Sequence, residues 1–408
     1  MVRELSPRTH AMMWLGLVLL AGTTAAEDVP IEKTLPKPPP SAVLDSAAGL
    51  EPIGGRWYLR KGSPNLYIYK DGDLYVDLFS YHQADSNEDG IPNLAIRHDA
   101  TSLVINSQGY PNHPTAIFPN SRNPNRIRVQ DFHFRLPLVP KKAEQITRVP
   151  MGEIGMALNG VVFFNPFEAG GMNAIEGYSE VWLDSCCGHP QQFGVYHYHK
   201  YPSCVKSPFT DDGQRHSPVL GFAFDGFPLY GPYEEAGVMA RDLKGDRALD
   251  VCNGHDDPKR GYHYHVTPNR FPYILGGYAG VPELSNNFML RRAGKGAIVD
   301  NTDRSATKPF GLVSVTPGNA ARGKLHTLRF ELDPSVRGGI PAGVPSWVQI
   351  GPFEAKKISR KGNVVTAEVD VPADAPLGVM LDAHIEFGKA EGGLVRVLKK
   401  NDAFRVVP

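Results

Sequence analysis

The sequence predicts a mainly β protein, with a Gly/Pro-rich β domain followed by a β-sandwich. Its 408 residues include 42 Gly and 36 Pro, a composition that favours turns and short strands over long helices. Alternating apolar runs on either side of a turn at residues 70–72 indicate a hairpin. After residue 311, about seven similar runs follow one another at the spacing of a sandwich. We therefore expect two folded parts.

Composition also predicts the boundaries of these parts. Residues 1–26 resemble a secretory signal peptide, with Arg3 and Arg8 before an apolar run that is too short to span a bilayer. The other predicted segments are a Pro-rich linker at 27–56, the β domain at 57–290, a polar linker at 291–310 and the sandwich at 311–408. The protein is accordingly expected to be secreted or periplasmic.

The charge balance narrows the range of partners. With 43 basic and 43 acidic side chains, the chain has no net field that would attract nucleic acid. No other apolar run is long enough to suggest a membrane span. The expected partners are a metal ion and an unknown small-molecule or surface ligand.

One four-residue motif, Tyr-His-Tyr-His, occurs twice, at residues 196–199 and 262–265. His197 and His263 are 66 residues apart, and the same offset relates an Asp, a Cys, a Gly and a His before each copy and a Pro after it. Together with the four residues of the motif itself, nine positions are therefore identical without a gap. We interpret this pattern as a duplicated unit and expect a pseudo-two-fold axis between its copies.

Each copy carries the side chains of a metal site. Residues i and i+2 of a strand share a face, so the two histidines of each motif lie on the same side of their strand. A third histidine lies eight residues before the first histidine of each pair. Imidazole suits copper, zinc, iron and nickel. The predicted metal ligands, expected to face a common place, are His189, His197, His199, His255, His263 and His265. The alternative is a pair of aromatic strands whose histidines stack or hydrogen-bond.

Three residues are predicted to be catalytic. Tyr198 and Tyr264 alternate with the ligands and would suit electron transfer, although tyrosine on the back of a strand is also ordinary packing. Asp225 would orient a ligand histidine or act as a general base. A hairpin turn at Asp225-Gly226 explains the same residues without catalysis.

Three other features between residues 113 and 246 bear on the site. His113 and His216 are considered as additional metal ligands. Residues 234–246 are expected to form a helical surface excursion.

The four cysteines lie within one stretch of the sequence, at Cys186, Cys187, Cys204 and Cys252. Export favours oxidation, so two disulfides are expected, with three possible connectivities. Because Cys186 and Cys252 are equivalent in the repeat, one arrangement joins them on the axis and leaves Cys187 with Cys204. A thiolate ligand to the metal is the alternative.

Asp85, Asn87 and Asp89 precede Gly90 in the manner of a calcium loop, which predicts a second kind of metal site. Ile96 stands where such a loop needs Glu, however, and a polar Asx turn explains the same residues. Both interpretations stay open.

The two Tyr-His-Tyr-His segments resemble the YHYH-domain family of secreted bacterial and algal proteins. Residues 106–113, 155–161 and 221–233 contribute to the resemblance, which covers residues 90–290. It implies an exported domain that contains a duplicated YHYH unit, and it implies no particular activity. Residues 372–379 are similar to a segment that connects strands in bacterial immunoglobulin-like modules, so the sandwich is expected to be immunoglobulin-like.

Three functions fit these features, and the sequence leaves open whether the protein is an enzyme. The favoured hypothesis is an exported copper protein, with redox activity as an extension of it. A zinc hydrolase would use three histidines and an open coordination position, with Asp225 or Asp184 as base. A non-catalytic binding or adhesion protein would need the repeat only as structure or as a closed metal site.

Overall fold

The chain is represented by a computed structural model that describes most residues from 36 onward. The ranges left out are 1–35, 121–122, 169–170, 176–180, 185, 203, 269, 301–310, 337–338, 352, 374, 376–379 and 389–395. The predicted signal peptide and residues 301–310 of the predicted second linker therefore lie outside the described part.

The described residues form strands and very short helices. The strands are β1 Val43–Leu44, β2 Glu51–Gly54, β3 Trp57–Arg60, β4 Leu66–Asp71, β5 Leu74–Asp77, β6 Leu94–His98, β7 Ser102–Ser107, β8 Phe132–Pro137, β9 Lys142–Thr147, β10 Glu153–Ala157, β11 Val162–Phe164, β12 Gly188–Pro190, β13 Tyr196–Tyr198, β14 Val219–Ala223, β15 Pro228–Tyr230, β16 Tyr233–Glu235, β17 Val238–Met239, β18 Gly254–Asp257, β19 Gly261–His265, β20 Tyr278–Gly280, β21 Leu312–Thr316, β22 Asn319–Ala321, β23 Lys324–Leu332, β24 Trp347–Ile350, β25 Phe353–Lys361, β26 Val364–Val371, β27 Met380–Phe387 and β28 Arg396–Val407. The 3-10 helices are Pro40–Ala42, Ser80–His82, Ala240–Asp242, Gly245–Arg247 and Phe288–Arg292. The prediction of a mainly β protein is confirmed.

The first sheet begins earlier in the chain than the sequence predicts. Its order is β1-β5-β4-β3-β2, and the predicted hairpin at residues 70–72 is its β4–β5 pair. Strands β1 and β2 lie inside residues 27–56, which were expected to be an unpacked linker. The ordered part therefore extends at least 14 residues before Trp57, because Val43 already pairs with Val76.

The central sheet carries both YHYH segments, one near each edge. Its order is β12-β13-β11-β10-β14-β15-β19-β18. Strands β10, β11, β12 and β13 correspond to β14, β15, β18 and β19 at the 66-residue offset seen in the sequence. The pairings follow the same offset, since β11 and β13 are parallel, as are β15 and β19. Read outward from the β10–β14 pair, the two halves of the sheet have the same order.

Aromatic side chains join the first sheet to the central one. Trp57 of β3 packs against Phe222 of β14 with ring centroids 5.3 Å apart, and Tyr69 contacts the same ring at 5.5 Å. All three side chains are buried in one apolar core that also includes the tyrosines of both YHYH segments. This core fixes the strands that carry the histidines.

The C-terminal strands form a second eight-stranded arrangement with its own core. Its order is β21-β23-β26-β25-β24-β27-β28-β22. Tyr233 and Met239, from the preceding part of the chain, are buried in this second core. Trp182 and Trp347 make a further contact, with ring centroids 6.3 Å apart. The immunoglobulin-like assignment of these strands and the predicted linker at 291–310 stay predictions.

Two further observations concern helices. Residues 234–246, expected to be a helix, form part of the β16–β17 hairpin and two 3-10 turns, so that prediction is wrong. Within the described part of the chain, no helix combines the length and apolar character needed to cross a membrane.

Candidate metal centres

The six predicted ligands are brought together as two separate triads, one at each outer hairpin of the central sheet. His189 of β12 lies opposite His197 of β13 in the antiparallel register, and His255 of β18 lies opposite His263 of β19 in the same way. The third members, His199 and His265, follow two residues later on the same faces, as the period of a strand requires. The expectation of one shared place is wrong, because the triads lie near opposite edges of the sheet.

We call the group formed by His189, His197 and His199 the first centre. Nε2 of His197 lies 3.0 Å from Nε2 of His189 and 3.0 Å from Nε2 of His199. All three side chains are buried. Glu168 adds a carboxylate oxygen 3.6 Å from Nε2 of His199, and this side chain is 35% exposed.

The second centre has the equivalent triad and two more side chains. His216, Glu234, His263 and His265 form one cluster, and His255 joins it through Nε2 of His263 at 3.2 Å and Oε2 of Glu234 at 3.1 Å. Nε2 of His263 lies 3.1–3.3 Å from Nε2 of each of the other three histidines. The Oε2 atom of Glu234 lies between 3.1 and 3.9 Å from all four of these nitrogens.

The ring orientations are set by hydrogen bonds at the far side of each imidazole. At the second centre, the four Nδ1 atoms lie 2.6–2.9 Å from the backbone carbonyl oxygens of Ser217, Gly231, Arg247 and Gly261. A carbonyl oxygen only accepts, so each Nδ1 carries its hydrogen and donates it. In the neutral rings every Nε2 then carries a lone pair, and all four of these nitrogens lie near Oε2 of Glu234.

The first centre shows the same arrangement for two of its rings. Nδ1 of His197 donates to the Val195 carbonyl at 3.0 Å, and Nδ1 of His199 donates to the Asn165 carbonyl at 2.7 Å. Their Nε2 lone pairs therefore face each other at 3.0 Å. Two acceptors do not hydrogen-bond to each other, so the predicted alternative of histidines bonded to one another does not account for this pair.

These distances match the coordination of a single ion by several imidazoles. Nitrogens bound about 2.0–2.1 Å from a tetrahedral zinc stand about 3.3 Å from one another, and a right angle at the metal brings them to about 2.9 Å. The observed separations of 3.0–3.3 Å fall between these values. Each centre therefore has the donor geometry of a transition-metal site.

Glu234 supports the same interpretation at the second centre. Its Oε2 atom is buried and receives no hydrogen bond. A buried carboxylate oxygen without a donor is costly, and a cation held between it and the imidazoles would satisfy it. A proton on one ring would be a partial substitute, and Glu234 does raise the pKa of His255 against the opposing effect of burial.

Burial keeps most of the imidazoles neutral and ready to bind metal. It lowers the pKa of His189 to about 3 and that of His199 to about 4. At the second centre, burial lowers the pKa of His265 to about 3 even though Glu234 acts in the opposite direction. Proton competition for these nitrogens is therefore weak at neutral pH.

The repeated Asp-x-Cys-x-Gly-His motif places the first histidine of each triad. Oδ1 of Asp184 accepts hydrogen bonds from the backbone N–H groups of Cys186 and Gly188 and from the Tyr196 hydroxyl. Asp250 does the same in the second copy. A Cβ on Gly188 would lie 2.3 Å from the Tyr196 hydroxyl oxygen, so only glycine fits beneath that ring.

The residues predicted to be catalytic lie on the opposite face of the strands from the imidazoles. Tyr198 donates to Nε2 of His113 at 2.5 Å, and Tyr264 donates to Asp225 at 2.5 Å. Asp225 also accepts the backbone N–H of Gly280 at 2.9 Å, and burial raises its pKa to about 6. These groups are fully buried, and the contacts of Asp225 and Asp184 are to tyrosines and backbone N–H groups.

Two disulfides were expected, with their connectivity left open, and the described residues contain one. Cys186 is bonded to Cys204, which excludes both the predicted Cys186–Cys252 bond and the predicted Cys187–Cys204 bond. Cys252 is a buried thiol whose pKa is raised by burial. His113 lies beside the disulfide, but both sulfur atoms are in that bond and provide no thiolate for a metal.

The predicted calcium loop has the hydrogen bonds of a polar turn. The Asp85 carboxylate accepts the backbone N–H groups of Asn87, Asp89 and Gly90. Asp89 accepts the side-chain amide of Gln108 at 2.7 Å. The Asx-turn interpretation explains these contacts, and calcium at this loop stays a prediction.

Comparisons with known proteins agree with the resemblance seen in the sequence. The family model described as YHYH protein matches residues 133–244. The chain contains a YHYH domain. The matched part of the YHYH domain includes the first centre together with His216 and Glu234, and it ends before the second Tyr-His-Tyr-His segment. No curated protein and no solved structure matches the chain significantly.

Sequence reasoning missed the two glutamates of the YHYH domain. Glu234 was placed in a surface helix, and Glu168 was not considered. The two positions are 66 residues apart, so the same offset that relates the histidines would have identified them as a repeated acidic residue. His216 has no such signal, because the equivalent position is Pro150.

Proposed function

We propose that this protein is an exported metalloprotein that binds two transition-metal ions, one at each centre, with copper as the favoured metal. The observation that carries the proposal is the set of four Nε2 lone pairs around the buried Glu234 carboxylate, each fixed by an Nδ1–H bond to a backbone carbonyl. The 66-residue correspondence of strands, histidines and glutamates supports an internal duplication of one metal-binding unit.

Copper is favoured by the chemistry of the donors. Both centres are rich in imidazole, and a given nitrogen-and-oxygen site binds Cu²⁺ more tightly than the other first-row divalent ions. Zinc is the alternative, since three histidines and a carboxylate also suit it. Export agrees with the Cys186–Cys204 disulfide, which persists in oxidising compartments.

The test is elemental analysis of protein purified from a periplasm after dialysis against a weak chelator. We expect two ions per chain for the wild type, one for His197→Ala/His199→Ala, one for His263→Ala/His265→Ala and none for the quadruple variant. His133→Ala is the matched control, because this imidazole is 62% exposed and lies outside both centres. Circular dichroism establishes that each variant is folded.

Two results would overturn the proposal. One is a wild-type protein that binds neither Cu²⁺ nor Zn²⁺ when both are offered. The other is a folded quadruple variant that retains the full metal content. Electron paramagnetic resonance of the wild type then identifies copper by its unpaired electron, since zinc gives no signal.

A further inference from the structure

The two centres share a frame but differ in the number of side chains that face the bound ion. The second centre has an imidazole at His216, and the equivalent position beside the first centre is Pro150, which offers no side-chain donor. We propose that the second centre is a closed five-ligand site, whereas the first centre binds a small exogenous anion directly at its metal. This inference rests on the proposed function.

The closure of the second centre follows from Glu234 and His216. The carboxylate is within 3.1–3.9 Å of all four nitrogens, and its side chain is only 7% exposed. Nε2 of His216 lies 3.3 Å from Nε2 of His263, so this ring converges on the same point as the triad. Four nitrogens and one oxygen fill the coordination of a five-coordinate ion.

The residues next to Glu234 and His216 in the chain also hold the second centre in place. Tyr233, next to Glu234 in the chain, is buried in the C-terminal core, and its backbone N–H donates to the Ser217 hydroxyl at 2.8 Å. Ser217 in turn follows His216. The chain neighbours of the two added ligands are thus hydrogen-bonded to each other, and one of them is buried in the C-terminal core, an arrangement that resists loss of either ligand.

The first centre presents three imidazoles and a more exposed carboxylate. A carboxylate oxygen of Glu168 lies 3.6 Å from the His199 nitrogen, and this side chain is 35% exposed where that of Glu234 is 7% exposed. Three histidine ligands leave a fourth position of a tetrahedral ion for water or substrate. A metal there would bind small oxygen or nitrogen donors that reach it from the side of Glu168.

The experiment uses the two single-centre variants loaded with Cu²⁺ and titrated with azide. His263→Ala/His265→Ala retains the first centre and is expected to bind one azide, as the wild type does, with a new charge-transfer absorption. His197→Ala/His199→Ala retains the second centre and is expected to bind azide at least about 10-fold more weakly, because no coordination position is open.

A third variant separates closure from simple inaccessibility. Adding His216→Ala to the His197→Ala/His199→Ala protein removes one ligand of the second centre and should produce azide binding there. The same samples are assayed for copper before titration. A protein with no bound copper overturns the proposed function along with this inference.

The inference alone is overturned by a protein that holds two copper ions but binds azide equally at both centres, only at the second centre or at neither. It is also overturned if the His216→Ala addition leaves the copper in place and azide binding unchanged. Each of these results is distinguishable from failure to bind metal.

Discussion

Residues 153–199 and residues 219–265 build the same four strands and end in the same histidine pair, but they surround that pair with different side chains. Position 150 is Pro where position 216 is His, and position 159 is Asn where position 225 is Asp. The contacts that orient the imidazoles are backbone carbonyls at equivalent positions, Asn165 and Gly231. The frame is thus held by main-chain groups, which leaves the neighbouring side chains free to differ.

A duplicated frame therefore does not make two identical sites. Tyr198 and Tyr264 occupy equivalent positions, and the hydroxyl group of each donates a hydrogen bond. The acceptor is an imidazole for Tyr198 and a carboxyl group for Tyr264. Both glutamates face a triad, but one is buried among four rings and the other is partly exposed. Equivalent positions of the two halves therefore serve as each other's controls.

The largest difference is expected from the two glutamates. Glu234→Gln removes the negative charge among four imidazoles, and loss of one partner of a buried charged pair costs about 3–5 kcal/mol, or on the order of 10²–10⁴ in affinity. Glu168→Gln should change metal affinity at the first centre by less than about 10-fold, because this side chain is more exposed. Competition with a chelator of known affinity measures both constants. Equal losses in the two variants would contradict the asymmetry.

The second largest difference is expected in the stability effects of replacing the equivalent cysteines, Cys186 and Cys252. Replacing Cys186 and Cys204 by Ser opens a loop of 18 residues' separation and is expected to lower the free energy of unfolding by about 3 kcal/mol. Cys252→Ala at the position equivalent to Cys186 removes a buried sulfur and should cost about 1 kcal/mol. Urea unfolding of the metal-free proteins measures both. A Cys252→Ala variant as unstable as the disulfide variant would show that the two halves depend on these positions equally.

The smallest effect concerns Asp225, which the other half replaces with Asn159. Burial raises the pKa of Asp225 to about 6, so the folded state binds its proton more tightly than the unfolded state does. That stabilisation is complete at low pH and is lost as pH rises toward 6. Between pH 4 and pH 6 the wild type should lose about 2 kcal/mol relative to Asp225→Asn.

Parallel urea titrations at the two pH values check this difference, with Asn106→Asp as a control for an added carboxyl group on the protein surface near His133. Metal content should be unchanged in Asp225→Asn, because Asp225 contacts Tyr264 and no imidazole of the second centre. Loss of metal from this variant would instead support the predicted role of Asp225 beside a ligand.

The sequence predicted the parts of each site that strand geometry controls. The period of two placed His197 with His199 and His263 with His265, and the 66-residue repeat identified His189 and His255 as their companions. It did not predict that the triads are separate, because the order of strands in a sheet depends on long-range pairing. In this sheet, each YHYH strand pairs in parallel with the second strand of the preceding hairpin in its own half.

The same long-range pairing explains why Cys186 is not bonded to Cys252. Equivalent positions of a repeat meet only if they lie near the axis that relates the copies, and here the centre of the sheet is the β10–β14 pair. Cys186 and Cys252 precede the outermost strands β12 and β18, so they lie at opposite ends. Glu234 was missed for a local reason, since acidic residues followed by Ala and Met have the composition of a helix while their chain folds into a hairpin.

The most direct test of two metal centres is an anomalous difference map from crystals of copper-loaded protein, collected at the copper absorption edge. Two separate peaks are expected, one about 2.0 Å from the Nε2 atoms of His189, His197 and His199 and the other at the same distance from those of His216, His255, His263 and His265. A single peak shared by both triads, or copper bound only away from these imidazoles, would contradict this expectation.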